Sequence, residues 1–151
     1  MEELIQAAKV AFSSTFSFYL KAHNFHWNIE GPDFYEYHKL LEQIYEEVYG
    51  SIDDFAEKIR SLGSYVPASY TRLSMLSEIE DQKEILTKNQ MVLVLLEDNR
   101  KMLQILKLTY DAAEAKSEHG FSNFLAERMD AHRKHGWMLK SSMKGQGNES
   151  F

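Results

Sequence analysis

Apolar residues recur at helical spacing along nearly the whole chain, most clearly between Pro32 and Leu62. There Phe34, Leu41, Ile44, Val48, Ile52, Phe55, Ile59 and Leu62 form one seam, the pattern of a single continuous amphipathic helix. Pro32 suits the first turn of that helix, Gly63 suits its C-terminal cap, and Pro67 bars continuation. Upstream, Leu4, Ala7, Ala11, Phe18 and Phe25 predict a first helix from about Glu3 to Trp27, with Asn28 to Gly31 turning the chain. A short helix is expected around Arg72 to Ile79. Thr87 with Gln90 three residues later reads as a capping box opening a helix to about Ser117, with Leu93, Leu96, Met102, Leu103, Leu106 and Tyr110 inward. Gly120 is read as the break before a last helix from Phe121 to Met143. Two long helices on each side of a crossover of more than twenty residues predict an all-α four-helix bundle, with the short extra helix in the crossover.

Composition adds limits. The chain has 151 residues, 44% of them hydrophobic and 26% charged, which suits one domain over residues 1–145 followed by a short polar tail over 146–151. Without cysteine there are neither disulfides nor thiolate metal sites. The acidic start Met1-Glu2-Glu3-Leu4 is unlike a secretory leader, and the longest wholly apolar run, Met91 to Leu96, is too short to span a bilayer. A cytoplasmic location is the expectation.

The second helix carries the chemistry. His38/Glu42 and Asp53/Glu57 are two pairs spaced i, i+4, so each pair stacks on one helix face and can converge on one ion. Charged residues on a helix are commonly just a solvated face. Here, however, Tyr45 and Tyr49 fill the angle between the acidic stripe and the apolar seam, and carboxylates among large aromatics call for a partner or a cation. Glu42 and Asp53 are eleven residues apart, ~16 Å along a helix, so the pairs cannot serve one ion within one chain. An antiparallel copy across a two-fold axis would bring them together and make two equivalent sites. The chain contains no Glu-x-x-His, the motif that builds di-iron centres inside one bundle.

The run from Lys21 to Gly63, KAHNFHWNIEGPDFYEYHKLLEQIYEEVYGSIDDFAEKIRSLG, closely resembles the signature of the Dps family of twelve-subunit mini-ferritins. In that family a His-Trp-Asn element precedes a Gly-containing turn and a helix bearing His, carboxylate, Asp and Glu. The last helix contributes a similar stretch, FLAERMDAHRKHGWMLKS, and the resemblance covers nearly the whole chain. It implies a ferritin-like four-helix bundle. It also implies that His26, His38 and Glu42 hold metal from one subunit, while Asp53 and Glu57 come from the two-fold partner. Glu42 stands where many members have Asp, which lengthens one ligand arm. The implied activity is ferroxidation at a dodecamer's two-fold interfaces: iron(II) is oxidised by hydrogen peroxide, or more slowly by dioxygen, and stored as ferric mineral. Zinc or manganese also suits these donors.

Other residues are assigned lesser parts. Glu46 shares the acidic sector and reads as a solvated acid. Trp27, Tyr45 and Tyr49 read as interface packing close to iron, with electron supply as the functional alternative. His23 is left out of the ligand set. His132 and His135, beside Arg128, Arg133 and Lys134, are expected at the surface or an interface. Glu114 and Glu127 are the best candidates for an acidic channel, where Asn123 replaces a usual Asp. Two other functions compete with ferroxidation. One is a DNA-compacting nucleoid protein, disfavoured by a net charge of −6 and the lack of a basic arm, so that direct DNA binding is expected to be weak or absent. The other is a structural oligomer clipped by zinc.

Overall fold

The computed structural model describes residues 1–144. Six helices follow in order: α1 (Glu2–Asn28), α2 (Phe34–Gly50), α3 (Ile52–Ser61), α4 (Tyr70–Leu76), α5 (Lys88–Ala115) and α6 (His119–Ser142). α1 packs on α2 and α5, and α5 packs on α6, so α1, the α2–α3 pair, α5 and α6 form the four columns of a bundle. The crossover from α3 to α5 lays α4 against α1. Phe18, Phe25, Leu41, Ile44, Phe55, Met102 and Leu106 are fully buried along the shared axis. The expected polar tail over 146–151 lies outside the described residues.

Three expectations are corrected. The helix predicted over Pro32 to Leu62 is interrupted at Ser51, whose hydroxyl and N–H both turn back onto the Val48 carbonyl at 2.6 and 3.1 Å. A serine side chain competing for a backbone carbonyl is a common way to tighten or bend a helix. The apolar seam survives the break, because Val48, Phe55 and Ile59 remain buried, but Phe34 at its start is 41% exposed. Gly120 does not separate the last helices. The break is Lys116 to Glu118, with Ser117 at φ 58°, and Gly120 lies in the first turn of α6. The crossover helix starts two residues early, at Tyr70, because Ser69 caps it by accepting from the Arg72 N–H. The capping box at Thr87 and Gln90 is present as expected.

Between α1 and α2 the chain reverses tightly. Gly31 takes φ 105° and Asp33 φ 63°, and the Phe34 N–H reaches the Gly31 carbonyl at 3.1 Å. Gly31 supplies a conformation that side chains resist. This reversal sets the end of α1 beside the start of α2, which positions the candidate site.

Candidate metal centre

His26 lies in the last turn of α1 and His38 in the second turn of α2. Their rings stack at 3.7 Å with a 16° tilt. His26 Nδ1 donates to the His38 carbonyl at 2.8 Å, and His38 Nδ1 donates to the His26 carbonyl at 2.7 Å. A carbonyl only accepts, so in each neutral ring the proton sits on Nδ1 and the Nε2 lone pair is left for another partner. Backbone carbonyls orienting imidazoles in this way are the usual support of histidine metal ligands. Glu42 Oε1 stands 4.0 Å from His26 Nε2, while its Oε2 accepts from Lys39 Nζ at 3.2 Å. Lys39 is exposed and its pKa is raised, chiefly by that hydrogen bond. It is the cation paired with Glu42 in this structure.

The other half of the predicted set lies at the start of α3. Asp53, Asp54 and Glu57 are exposed and can bring one oxygen each within 4.8 Å of the others. Like charges so placed repel one another. Asp53 and Asp54 lie in the first turn of α3, where the positive end of the helix dipole offsets part of the cost. Asp54 was missed from sequence, although its i, i+3 relation to Glu57 was a usable signal. Among the described residues this is the one such group of three or more potential ligands, so the single chain does not bring His26, His38 and Glu42 together with Asp53 and Glu57.

Aromatic residues surround the first half. His23, excluded from the ligand set, is sandwiched between Trp27 at 3.7 Å and Tyr45 at 3.8 Å. Tyr45 also lies 5.0 Å from the His26 ring, centre to centre. Trp27 is 60% exposed and Tyr49 58%, a large unpartnered apolar area beside polar donors.

His132 and His135, expected at the surface or an interface from their cationic neighbours, are instead buried in the bundle. Arg128, also buried, donates two hydrogen bonds to Glu47 at 2.5 and 2.9 Å, and His135 Nε2 meets the same carboxylate at 2.8 Å. These bonds hold the Glu47 carboxyl far below the usual range against the opposing effect of burial. His132 Nδ1 bonds the Asn99 side-chain oxygen at 2.8 Å, and Asn99 Nδ2 donates back to the His132 carbonyl at 2.8 Å. Burial, with Arg128 and His135 adding to it, pushes the His132 pKa well below its ordinary 6.5. His132 is therefore neutral when folded but protonates below about pH 6.5 when unfolded, so its stabilising contribution is present above that pH and lost as pH falls. The unfolding free energy from urea titrations between pH 7 and 5.5 should fall more steeply for the native chain than for His132→Gln, by about 1 kcal/mol per pH unit. Equal slopes would refute the assignment.

The Ferritin-like domain family model matches residues 6–144. DNA protection during starvation protein 2 of Bacillus anthracis is 31% identical over 123 residues, covering 82% of this chain and 84% of that one. The chain belongs to the Dps family. Among solved structures, Dps from Thermosynechococcus elongatus superposes with a TM-score of 0.92 at 24% identity, covering 99% of this chain and 96% of the other. Dps from Vibrio cholerae O1, described as a member of a broad superfamily of ferritin-like diiron-carboxylate proteins, gives 0.89 at 23% identity over 95% and 90%.

No helix among the described residues is long and apolar enough to cross a membrane. Of the candidate channel acids, Glu114 accepts from Ser122 Oγ at 2.5 Å and pairs with His119 Nδ1 at 3.2 Å. These contacts, the serine bond first, hold its carboxyl below the usual value. Glu127 and Asn123 are exposed on α6.

Proposed function

We propose that this Dps-family chain stores and detoxifies iron, oxidising iron(II) with hydrogen peroxide, or with dioxygen, at sites completed between two copies of itself. In this reading His26, His38 and Glu42 bind from one subunit and Asp53 and Glu57 from its two-fold partner, within a hollow dodecamer that keeps the ferric product as mineral. Asp54 joins the partner's acids as a water-orienting carboxylate.

The observation that carries the reading is the exchange of hydrogen bonds between the two histidines and each other's backbone carbonyls, which leaves both Nε2 atoms outside that exchange, with His26 Nε2 4.0 Å from Glu42. Two imidazoles and several carboxylates suit iron(II), and the carboxylate charge stabilises iron(III) as it forms. Iron is here the substrate. The protein's own work is to hold Nε2 and the acid oxygens ready, to surrender Lys39 from Glu42 when a cation arrives, and to screen the site with Trp27 and Tyr49. Zinc or manganese would fit the same donors and compete for them. Protection of DNA is printed in the name of the B. anthracis relative. For this chain, with a net charge of −6, we read any such protection as removal of iron and peroxide, with little direct phosphate binding.

Peroxide-driven oxidation of anaerobically added iron(II) should be fast in the native protein. In His38→Ala/Glu42→Ala it should fall to the rate in buffer, a loss of more than about 100-fold, since even removing an outer support costs 10–100-fold. An unchanged rate in a variant that still assembles would defeat the proposal.

A further inference from the structure

The start of α2 is weakly held by its own residues. Its N-cap, Asp33, sits in the left-handed region at φ 63° and makes no side-chain capping bond, and Gly31 just before it takes φ 105°. A helix end without a side-chain cap leaves backbone N–H groups to solvent and loses the stability that a cap supplies. Yet this turn leads directly into the candidate ligands, because Tyr37 is followed by His38. The bonds that His26 and His38 exchange with each other's carbonyls are 2.8 and 2.7 Å long, so a shift of about 1 Å at the start of α2 would stretch both past hydrogen-bond length.

Two long-range hydrogen bonds supply what the cap does not. Lys88 Nζ donates to the Pro32 carbonyl at 2.9 Å and lies 4.7 Å from the centre of the Tyr37 ring. The Tyr37 hydroxyl donates to the carbonyl of Ser142, the last residue of α6, also at 2.9 Å. Among the described residues these are the two hydrogen bonds that join residues 29–37 to α5 and α6. Lys88 is the first residue of α5, where the positive end of the helix dipole disfavours a cation, and the Thr87 and Gln90 capping box already serves that end. The ammonium finds its partners outside its own helix, in a carbonyl and the face of an aromatic ring. A residue that breaks a local preference while fitting a neighbouring segment marks that segment as the reason for it. Tyr37 is 8% exposed, and its hydroxyl takes up one of the carbonyls left open in the last turn of α6.

We propose that Lys88 and Tyr37 are positioning residues for the metal centre, clamping the α1–α2 reversal to α5 and α6 so that His26 and His38 keep their carbonyl-locked orientation before an ion arrives. This rests on the reading of His26, His38 and Glu42 as ligands and adds the device that preorganises them. Lys88 and Tyr37 act on the ion only through the main chain, from the Pro32 carbonyl and the Tyr37 backbone to His38. A ligand pair already held in place binds without first ordering its segment, so the clamp raises affinity and leaves the donor set unchanged.

Cobalt(II) titrated into the assembled, metal-free full chain under argon tests this, with visible absorption reporting its ligation. The part of the signal missing from His38→Ala/Glu42→Ala belongs to this centre. Lys88→Met keeps the stem without the charge, and Tyr37→Phe keeps the ring without the hydroxyl. Each should weaken cobalt binding at the centre about 10-fold, the lower end of what losing an outer support costs. Lys88→Arg, which can donate to the same carbonyl, should restore native affinity. Amide hydrogen exchange followed by mass spectrometry should quicken over residues 34–38 in both weakened variants and stay unchanged in the middle of α5. The two variants break different contacts, so each tests the clamp if the other fails to assemble. Native cobalt affinity in an assembled Lys88→Met or Tyr37→Phe overturns the proposal, even where hydrogen exchange quickens, because the clamp then serves the fold alone. A loss in Lys88→Met that Lys88→Arg does not recover overturns it as well. If the native chain shows no more cobalt signal than His38→Ala/Glu42→Ala, the metal-centre reading itself has failed, and the clamp has no site to position.

Discussion

Two inactive variants should restore each other's iron oxidation when they share an assembly. His38→Ala/Glu42→Ala retains Asp53 and Glu57, whereas Asp53→Ala/Glu57→Ala retains His38 and Glu42. If each site takes donors from two chains, a mixed pair contains one intact site and one site stripped of all four residues. Co-expression or co-refolding at equal amounts makes about half the two-fold pairs mixed, so about a quarter of the native sites return. Each variant alone should oxidise iron no faster than buffer. A site built within one chain gives no recovery, because no single chain then carries the full set. The prediction follows from the fold: one chain holds His26 and His38 at the α1–α2 reversal and places Asp53, Asp54 and Glu57 beyond the Ser51 break, in a separate cluster. Size-exclusion chromatography of each variant would show that assembly persists, and lost activity in the mixture despite shared assembly would sink the intersubunit site.

The four columns were legible because their apolar residues keep helical spacing for many turns and because Thr87, Gly63 and Pro67 punctuate them. The two candidate pairs, His38/Glu42 and Asp53/Glu57, stand out in the sequence for a similar reason, since i, i+4 spacing puts two donor-type side chains on one face whatever the partner. What depends on contacts between distant segments was hidden. The locking of His26 and His38 uses main-chain carbonyls, which leave no mark in the residue pattern. The burial of His132 and His135 did leave one: Leu125, Arg128, His132, His135 and Leu139 follow a core period, and all five are buried. Arg133 and Lys134, on the exposed side of the same turn, outweighed it. The partner that makes this polar stripe tolerable, Glu47, lies 81 residues from Arg128. The break at Ser51 was hidden because a single serine in a periodic helix more often leaves the helix intact.

Lys21→Met should be the most destabilising single change in the bundle, because it strands a buried acid. Lys21 on α1 and Asp98 on α5 form an ion pair at 2.7 Å with side chains only 5% and 6% exposed. Burial raises the Asp98 pKa even though Lys21 opposes it, which shows how far the carboxylate depends on its one close cation. Removing one partner of a buried pair typically costs about 3–5 kcal/mol, whereas replacing both with apolar groups is often neutral. Lys21→Met alone should therefore lower the urea midpoint strongly, and Lys21→Met/Asp98→Leu should recover most of the loss. Measurement at one fixed protein concentration is needed, since assembly contributes to the apparent stability. A double variant as unstable as the single one would mean that packing of the lysine stem, not the stranded charge, decides the effect. The pair would then be a strut between α1 and α5, and the tolerance of this core for charge, which also governs Glu47, Arg128 and His135, would rest on shape before electrostatics.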